Sequence, residues 1–125
     1  MGKKDWEVVR AMEAFGGGLG CNGEVCGALV GALAVMGLRF GRGGEGEEEK
    51  KDPRIWRYTF ELVKRFREAI VRSHGGIRCR EITGIDWMNR EQVLSFYKPD
   101  EKGLECTRIV GDTAKLIGEL LERQT

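Results

Sequence analysis

Apolar positions recur along this chain every three to four residues, and strict alternation is absent, so the pattern predicts helices and no sheet. A first helix is expected over Asp5–Ala14, with Trp6, Val9 and Met12 on one face and Gly16-Gly17-Gly18 ending it. A second is expected over Glu24–Leu38. It is apolar almost all round, which implies a central position. On it Gly27, Ala28, Gly31 and Ala32 form a flat strip that lets another backbone approach closely. Asp52-Pro53 reads as the start of a third helix reaching His74, with Asp as cap and Pro in the first turn. Its apolar stripe is expected to be Trp56, Phe60 (or Thr59), Val63, Phe66 and Ile70, and Gly75-Gly76 stops it.

Beyond it, Ile77–Gly84 can hold one helical turn beginning near Cys79. A fourth helix is expected over Asn89–Phe96, closed by Lys98-Pro99, and Glu101–Glu105 reads as a polar turn. A fifth is expected over Cys106–Arg123, with Ile109, Val110, Ala114, Ile117, Leu120 and Leu121 as its stripe. The segment 41–51 (GRGGEGEEEKK) has nothing to bury and is expected to be a flexible loop. The expected architecture is therefore all-α: a single compact domain, 1–125, of about five helices around the central apolar one.

The length of 125 residues suits one domain with a real core. A net charge of +1 gives no global field for nucleic acid or for a membrane surface. The uncharged run Val25–Leu38 is fourteen residues, short of the roughly 20 needed to cross a bilayer. The charged opening Met1–Arg10 has no apolar core of a signal peptide, so a cytoplasmic location is expected. There, cysteines are more often metal ligands or reversible redox groups than permanent cross-links.

The chain has four cysteines, and they carry its candidate chemistry. Cys21 and Cys26 sit where a glycine-rich loop meets the second helix, and Cys79 and Cys106 also precede expected helix starts. A helix N-terminus offers free N–H groups that favour thiolate, the nucleophilic and metal-binding form of sulfur. Arg78 and Arg80 beside Cys79 act in the same direction. The spacing of Cys21 and Cys26 occurs in zinc sites and in plant-type ferredoxins, but a ferredoxin needs a cysteine where Leu29 stands. Four sulfurs at such places can be a metal site, redox pairs or core filling, and the residues alone leave that open.

Phe15-Gly16-Gly17-Gly18 through Cys21, then Gly23-Glu24-Val25-Cys26-Gly27-Ala28-Leu29-Val30-Gly31, Gly37-Leu38, Cys79-Arg80-Glu81 and Cys106 resemble the redox-active family labelled C_GCAxxG_C_C. Its CGAxxG motif reads here Cys26-Gly27-Ala28-Leu29-Val30-Gly31. That family is similar to the iron–sulfur part of split-Soret cytochrome c. The resemblance implies a [2Fe-2S] cluster with Cys21, Cys26, Cys79 and Cys106 as ligands, and the small-residue strip that starts at Gly27 would give a cofactor clearance near Cys26. No Cys-x-x-Cys-His is present, so the haem half of the comparison has no counterpart.

Two other readings stand beside that one. A metal-free thiol–disulfide protein would pair Cys21 with Cys26, the latter as a low-pKa nucleophile, and Cys79 with Cys106. A four-thiolate zinc site would lock the helices of an interaction domain. No general acid or base accompanies the sulfurs, so whether any reaction is catalysed stays open. Arg54, Arg57, Lys64, Arg65, Arg67 and Arg72 make the helix at 53–74 a basic face, either merely solvated or a docking patch for an acidic protein redox partner. His74, the only histidine, is expected to cap that helix. Trp6, Trp56 and Trp87 read as core or interface anchors, and a homodimer stays open. No phosphate loop, Ser/His/Asp set or carboxylate pair emerges.

Overall fold

The computed structural model describes residues 5–43, 50–98 and 101–123, without the side chains of 101 and 102. Most of the loop expected at 41–51 lies outside those residues, as does Pro99. The described residues are helical, with one isolated antiparallel bridge, Val25 to Arg78, and no strand. The all-α expectation is therefore met.

Six helices follow in order: α1 Trp6–Met12, α2 Gly27–Phe40, α3 Arg54–Arg65, α4 Cys79–Thr83, α5 Arg90–Phe96 and α6 Glu101–Glu122. Their starts follow from local chemistry. The Asp5 carboxylate accepts the N–H groups of Glu7 and Val8 at 3.0 and 3.3 Å. Asp52 accepts the Arg54 N–H at 3.0 Å and grips its guanidinium. Asn89 accepts the Gln92 N–H at 3.2 Å. Each side chain satisfies a donor that the first turn leaves without a partner.

The core is a three-helix seam. Leu29, Ala32, Met36 and Phe40 of α2 meet Tyr58 and Leu62 of α3, then Phe66 and Ile70 beyond it, and Ile109, Leu116 and Leu120 of α6. Spacings of three and four keep each set on one face. Met36, Leu62, Phe66 and Leu120 are fully buried. Each such side chain contributes roughly 1.5–3 kcal/mol by leaving water. Phe40 stacks on Tyr58 at 5.1 Å, with the rings 4° from parallel.

Three expectations change here. The α3 stripe is rotated: Trp56 and Phe60 are each 74% exposed, and Tyr58 and Leu62 face the core instead. Phe66 stays inside because it follows Tyr58 and Leu62 at four-residue spacing, and Ile70 stays inside across one wider turn, Phe66–Ile70, closed by the Val71 N–H on the Phe66 carbonyl at 3.1 Å. That turn shifts the phase of the helix. The last helix begins at Glu101, so the expected polar turn is its first turn and Cys106 lies inside it. Of its expected stripe, Val110 and Ala114 are exposed, and Thr113 and Leu116 are buried in their place. The Thr113 hydroxyl donates to the Ile109 carbonyl at 2.6 Å, which lets it sit among apolar neighbours. Finally, Trp6 at 73% exposure and Trp56 are surface groups of this chain, not core anchors.

A tight, glycine-built segment covers one end of this seam. Gly17, Gly18 and Gly20 have positive φ (63°, 73° and 65°), and so do Leu19 and Cys21. From this coil the chain runs alongside 77–80. The Cys26 N–H donates to the Ile77 carbonyl (2.8 Å), the Cys79 N–H to Glu24 (2.6 Å) and the Arg80 N–H to Gly23 (3.1 Å). Gly18 is obligatory, because a Cβ there would lie 2.5 Å from the Glu24 nitrogen and 2.7 Å from the Cys79 Cβ.

Candidate functional site

The same backbone bonds set Cys26 opposite Ile77 and Cys79 opposite Glu24, so the two cysteines lie diagonally across the bridge. They flank the Val25–Arg78 bridge and turn to one side of it. Cys26 caps α2, and its carbonyl accepts the Leu29 and Val30 N–H groups. Cys79 opens α4, a single turn held by the Glu81 carboxylate on the Arg78 N–H at 3.2 Å and ended by Gly84 in a left-handed conformation. Cys106 reaches the same place from the second turn of α6.

Cys26, Cys79 and Cys106 line one cavity of about 280 Å³, together with Thr83, Trp87 and Phe96. Cys79 is buried and the other two are half-buried. Three cysteines remote in sequence thus share one cavity, one capping α2, one opening α4 and one inside α6. Gly27 and Ala28 also line this cavity. Cys21 is exposed and lines an adjoining pocket with Arg80, Asp86 and Trp87. Its sulfur lies 2.9 Å from the point a Cβ on Gly17 would occupy, and Gly17 itself borders the three-thiol cavity. So the fourth cysteine is next door, and Trp87 borders both spaces.

All four thiols are free. Among the described residues no three His, Cys, Asp or Glu side chains meet at the spacing a single metal ion requires.

Electrostatics at the site run against the expectation of activated thiols. Burial pushes the Cys26 thiol up from its ordinary value; the Ala28 and Leu29 N–H groups pull it down by less, and the neighbouring Cys79 adds to the rise. Cys106 is pushed up to about 11, first by burial, then by the sulfurs of Cys26 and Cys79 and by Glu105. A helix start does favour thiolate at Cys26, yet desolvation outweighs it. Cys106 has no such help, because it lies inside its helix. Three converging thiolates would repel one another, and a cation among them would remove that repulsion.

His74 is bound at its ring: Nε2 lies 2.9 Å from Glu105 Oε1. Glu105 also receives the Arg108 guanidinium, whose Nη2 reaches back to the Ile70 carbonyl at 3.3 Å. Arg108 first, and His74 second, hold the Glu105 carboxyl down at about 2. This network ties the end of the third helical segment to α6 one residue from Cys106.

Sequence reasoning missed Thr83 and the specific place of Trp87. The Thr83 hydroxyl donates to the Cys79 carbonyl at 2.9 Å, accepts the Ile85 N–H at 3.1 Å, and lies 4.0 Å from the Cys79 sulfur. The Trp87 indole N–H points at that sulfur from 3.4 Å. A lone threonine four residues after a cysteine on a helix was the available signal for the first. Nothing in the local pattern marked the second.

Residues 1–120 match the model of the family described as "Putative redox-active protein (C_GCAxxG_C_C)", and the chain belongs to that family. No curated protein and no solved structure matches it. No helix among the described residues is long and apolar enough to cross a membrane.

Proposed function

We propose that this redox-active protein works as an electron carrier or redox sensor, with Cys26, Cys79, Cys106 and Cys21 holding an iron–sulfur cluster of the [2Fe-2S] type. The observation that supports this most is the convergence of three thiols from three helices on one cavity, with the fourth thiol in the adjoining pocket. Soft thiolate donors are the ligands such clusters use. A cluster joins its thiolates through several iron and sulfide atoms, so they need not crowd round a single point. A lone zinc ion would require four sulfurs about 2.3 Å from one centre, a tighter arrangement than this one. When bound, the cluster would supply one-electron chemistry.

The chain's own contribution is then defined. The Ala28 and Leu29 N–H groups act on the Cys26 sulfur and favour its charged form. The aromatic wall of Trp87 and Phe96 limits water at the cavity. Arg57, Lys64, Arg67 and Arg72, on or just beyond α3, would steer an acidic protein partner by charge. Reduced thiols of this kind persist in a reducing compartment, so we place the working protein in the cytoplasm.

Purification without oxygen tests the reading. A brown protein with thiolate-to-iron charge-transfer absorbance and stoichiometric iron is the expected outcome. A colourless protein that takes up no iron when offered ferrous iron and sulfide overturns it.

One observation favours a second reading, the placement of Cys26 and Cys79 on the same side of the backbone bridge. Metal-free thiol–disulfide exchange would then link those two on oxidation by a partner disulfide. Peptide mapping of the oxidised protein decides it, because a Cys26–Cys79 crosslink is expected and its absence removes the reading.

A further inference from the structure

We infer that Trp87 is a positioning residue of the thiol site: its indole N–H fixes the Cys79 sulfur, and its ring borders both the three-thiol cavity and the Cys21 pocket. The tuning consequence drawn below rests on the cluster reading, whereas the placement itself does not.

Three observations carry it. The first is the bond itself, from Trp87 Nε1 to Cys79 Sγ at 3.4 Å. Trp Nε1 can only donate, so the sulfur must be the acceptor. The second is location. Trp87 borders both the three-thiol cavity and the Cys21 pocket. The point a Cβ on Gly17 would take is 3.4 Å from the indole nitrogen and 2.9 Å from the Cys21 sulfur, so the missing side chain at 17 leaves room for both.

The third is rigidity. The segment that carries Trp87 is tied on both flanks. The Ile85 N–H binds the Thr83 hydroxyl, and the Asp86 N–H binds Gln92 Oε1 at 2.7 Å. The Met88 and Asn89 N–H groups bind the Asp86 carboxylate and carbonyl, both at 2.9 Å. Phe96 then packs edge-on against the indole, with ring centres 5.2 Å apart. A half-buried tryptophan on a short loop would otherwise have several rotamers, and these contacts select one.

A donor aimed at a ligand sulfur stabilises the state in which that sulfur carries more negative charge. In a cluster held by Cys79 that is the reduced state. Trp87 would therefore raise the midpoint potential relative to the same site without the N–H.

The test uses three variants of the full chain. One replaces residue 87 by 3-benzothienylalanine, which keeps the shape and removes the donor. Another is Cys79→Ala, and the third, Trp87→Phe, serves to assign the Trp87 indole resonance. In the metal-free reduced protein, indole N–H exchange at Trp87 is expected to speed up roughly fivefold or more in Cys79→Ala, the equivalent of a hydrogen bond of about 1 kcal/mol. Unchanged exchange overturns the placement. In protein reconstituted with ferrous iron and sulfide, the benzothienyl variant is expected to have a lower midpoint potential with unaltered iron content. An equal or higher potential overturns the tuning role. Wild-type protein that takes up no iron overturns the cluster reading instead, and the exchange result still decides the placement.

Discussion

The two ends of this molecule are built by opposite means. At one, long helices interlock apolar side chains, and Met36, Leu62, Phe66 and Leu120 are wholly inside. At the other, backbone bonds and glycines do the work: a coil of left-handed residues, one bridge and a single-turn helix bring Cys26 and Cys79 to a cavity that Cys106 of α6 also lines. Side-chain packing tolerates some repacking after a change, because neighbours can shift. A site made of backbone contacts has little such slack. The first end therefore sets stability, and the second sets chemistry.

The comparison breaks most visibly if a core change and a site change act alike. Phe66→Ala is expected to cost about 3–5 kcal/mol, the usual range for emptying a buried aromatic site. Chemical denaturation monitored by circular dichroism measures it. Both regions should be lost together, since the core supports everything above it. Gly18→Ala is expected to cost less globally, roughly 1–3 kcal/mol, by combining a left-handed φ with a collision against Glu24 and Cys79. Its main effect falls on the site: Cys79 should become several-fold more reactive toward an alkylating reagent while the helical signal is kept. A variant with wild-type thiol reactivity would show that the coil is not what seats Cys79.

The join between the two ends is expected to respond to acid. The Glu105 carboxyl titrates near 4.5 in an unfolded chain and at about 2 in the folded one, where Arg108 and His74 hold it. The folded state thus binds this proton more weakly. The stabilisation is complete above pH 4.5 and is lost as pH falls toward 2. Glu105→Gln should flatten this part of the acid limb of a thermal-melting profile. The smallest expected effect is a gain. A Cβ on Gly111 or Gly118 of α6 would meet nothing within 4 Å. Gly118→Ala should raise stability by roughly 0.5–1 kcal/mol, and thiol reactivity should not move.

The sequence made the helical end legible in outline and the site in part. Asp52 and Asn89 announced their helices because a capping side chain acts on the two or three residues after it. The face of α3 was not legible. Two apolar stripes compete there, one through Trp56 and Phe60 and one through Tyr58 and Leu62, and they merge at Phe66. The stacking of Phe40 on Tyr58 decides between them, and that contact comes from another helix. The start of α6 was missed for a similar reason. A polar, glycine-containing first turn looks like a linker unless the packing of Ile109 is known. At the site, the four cysteines were visible as a set, but not the division between three that share a cavity and one beside it. Nor could spacing show that burial would overcome the helix-start effect at Cys26.

The bridge between Val25 and Arg78 has one more consequence. Between its two partners in the chain lie α2 and α3, so the bridge closes a long loop. Closing so long a loop early would cost entropy without return, so the pocket forms late on the folding route. Until then a nascent chain displays four unprotected thiols. Assembly in the presence of oxidants is expected to trap scrambled crosslinks.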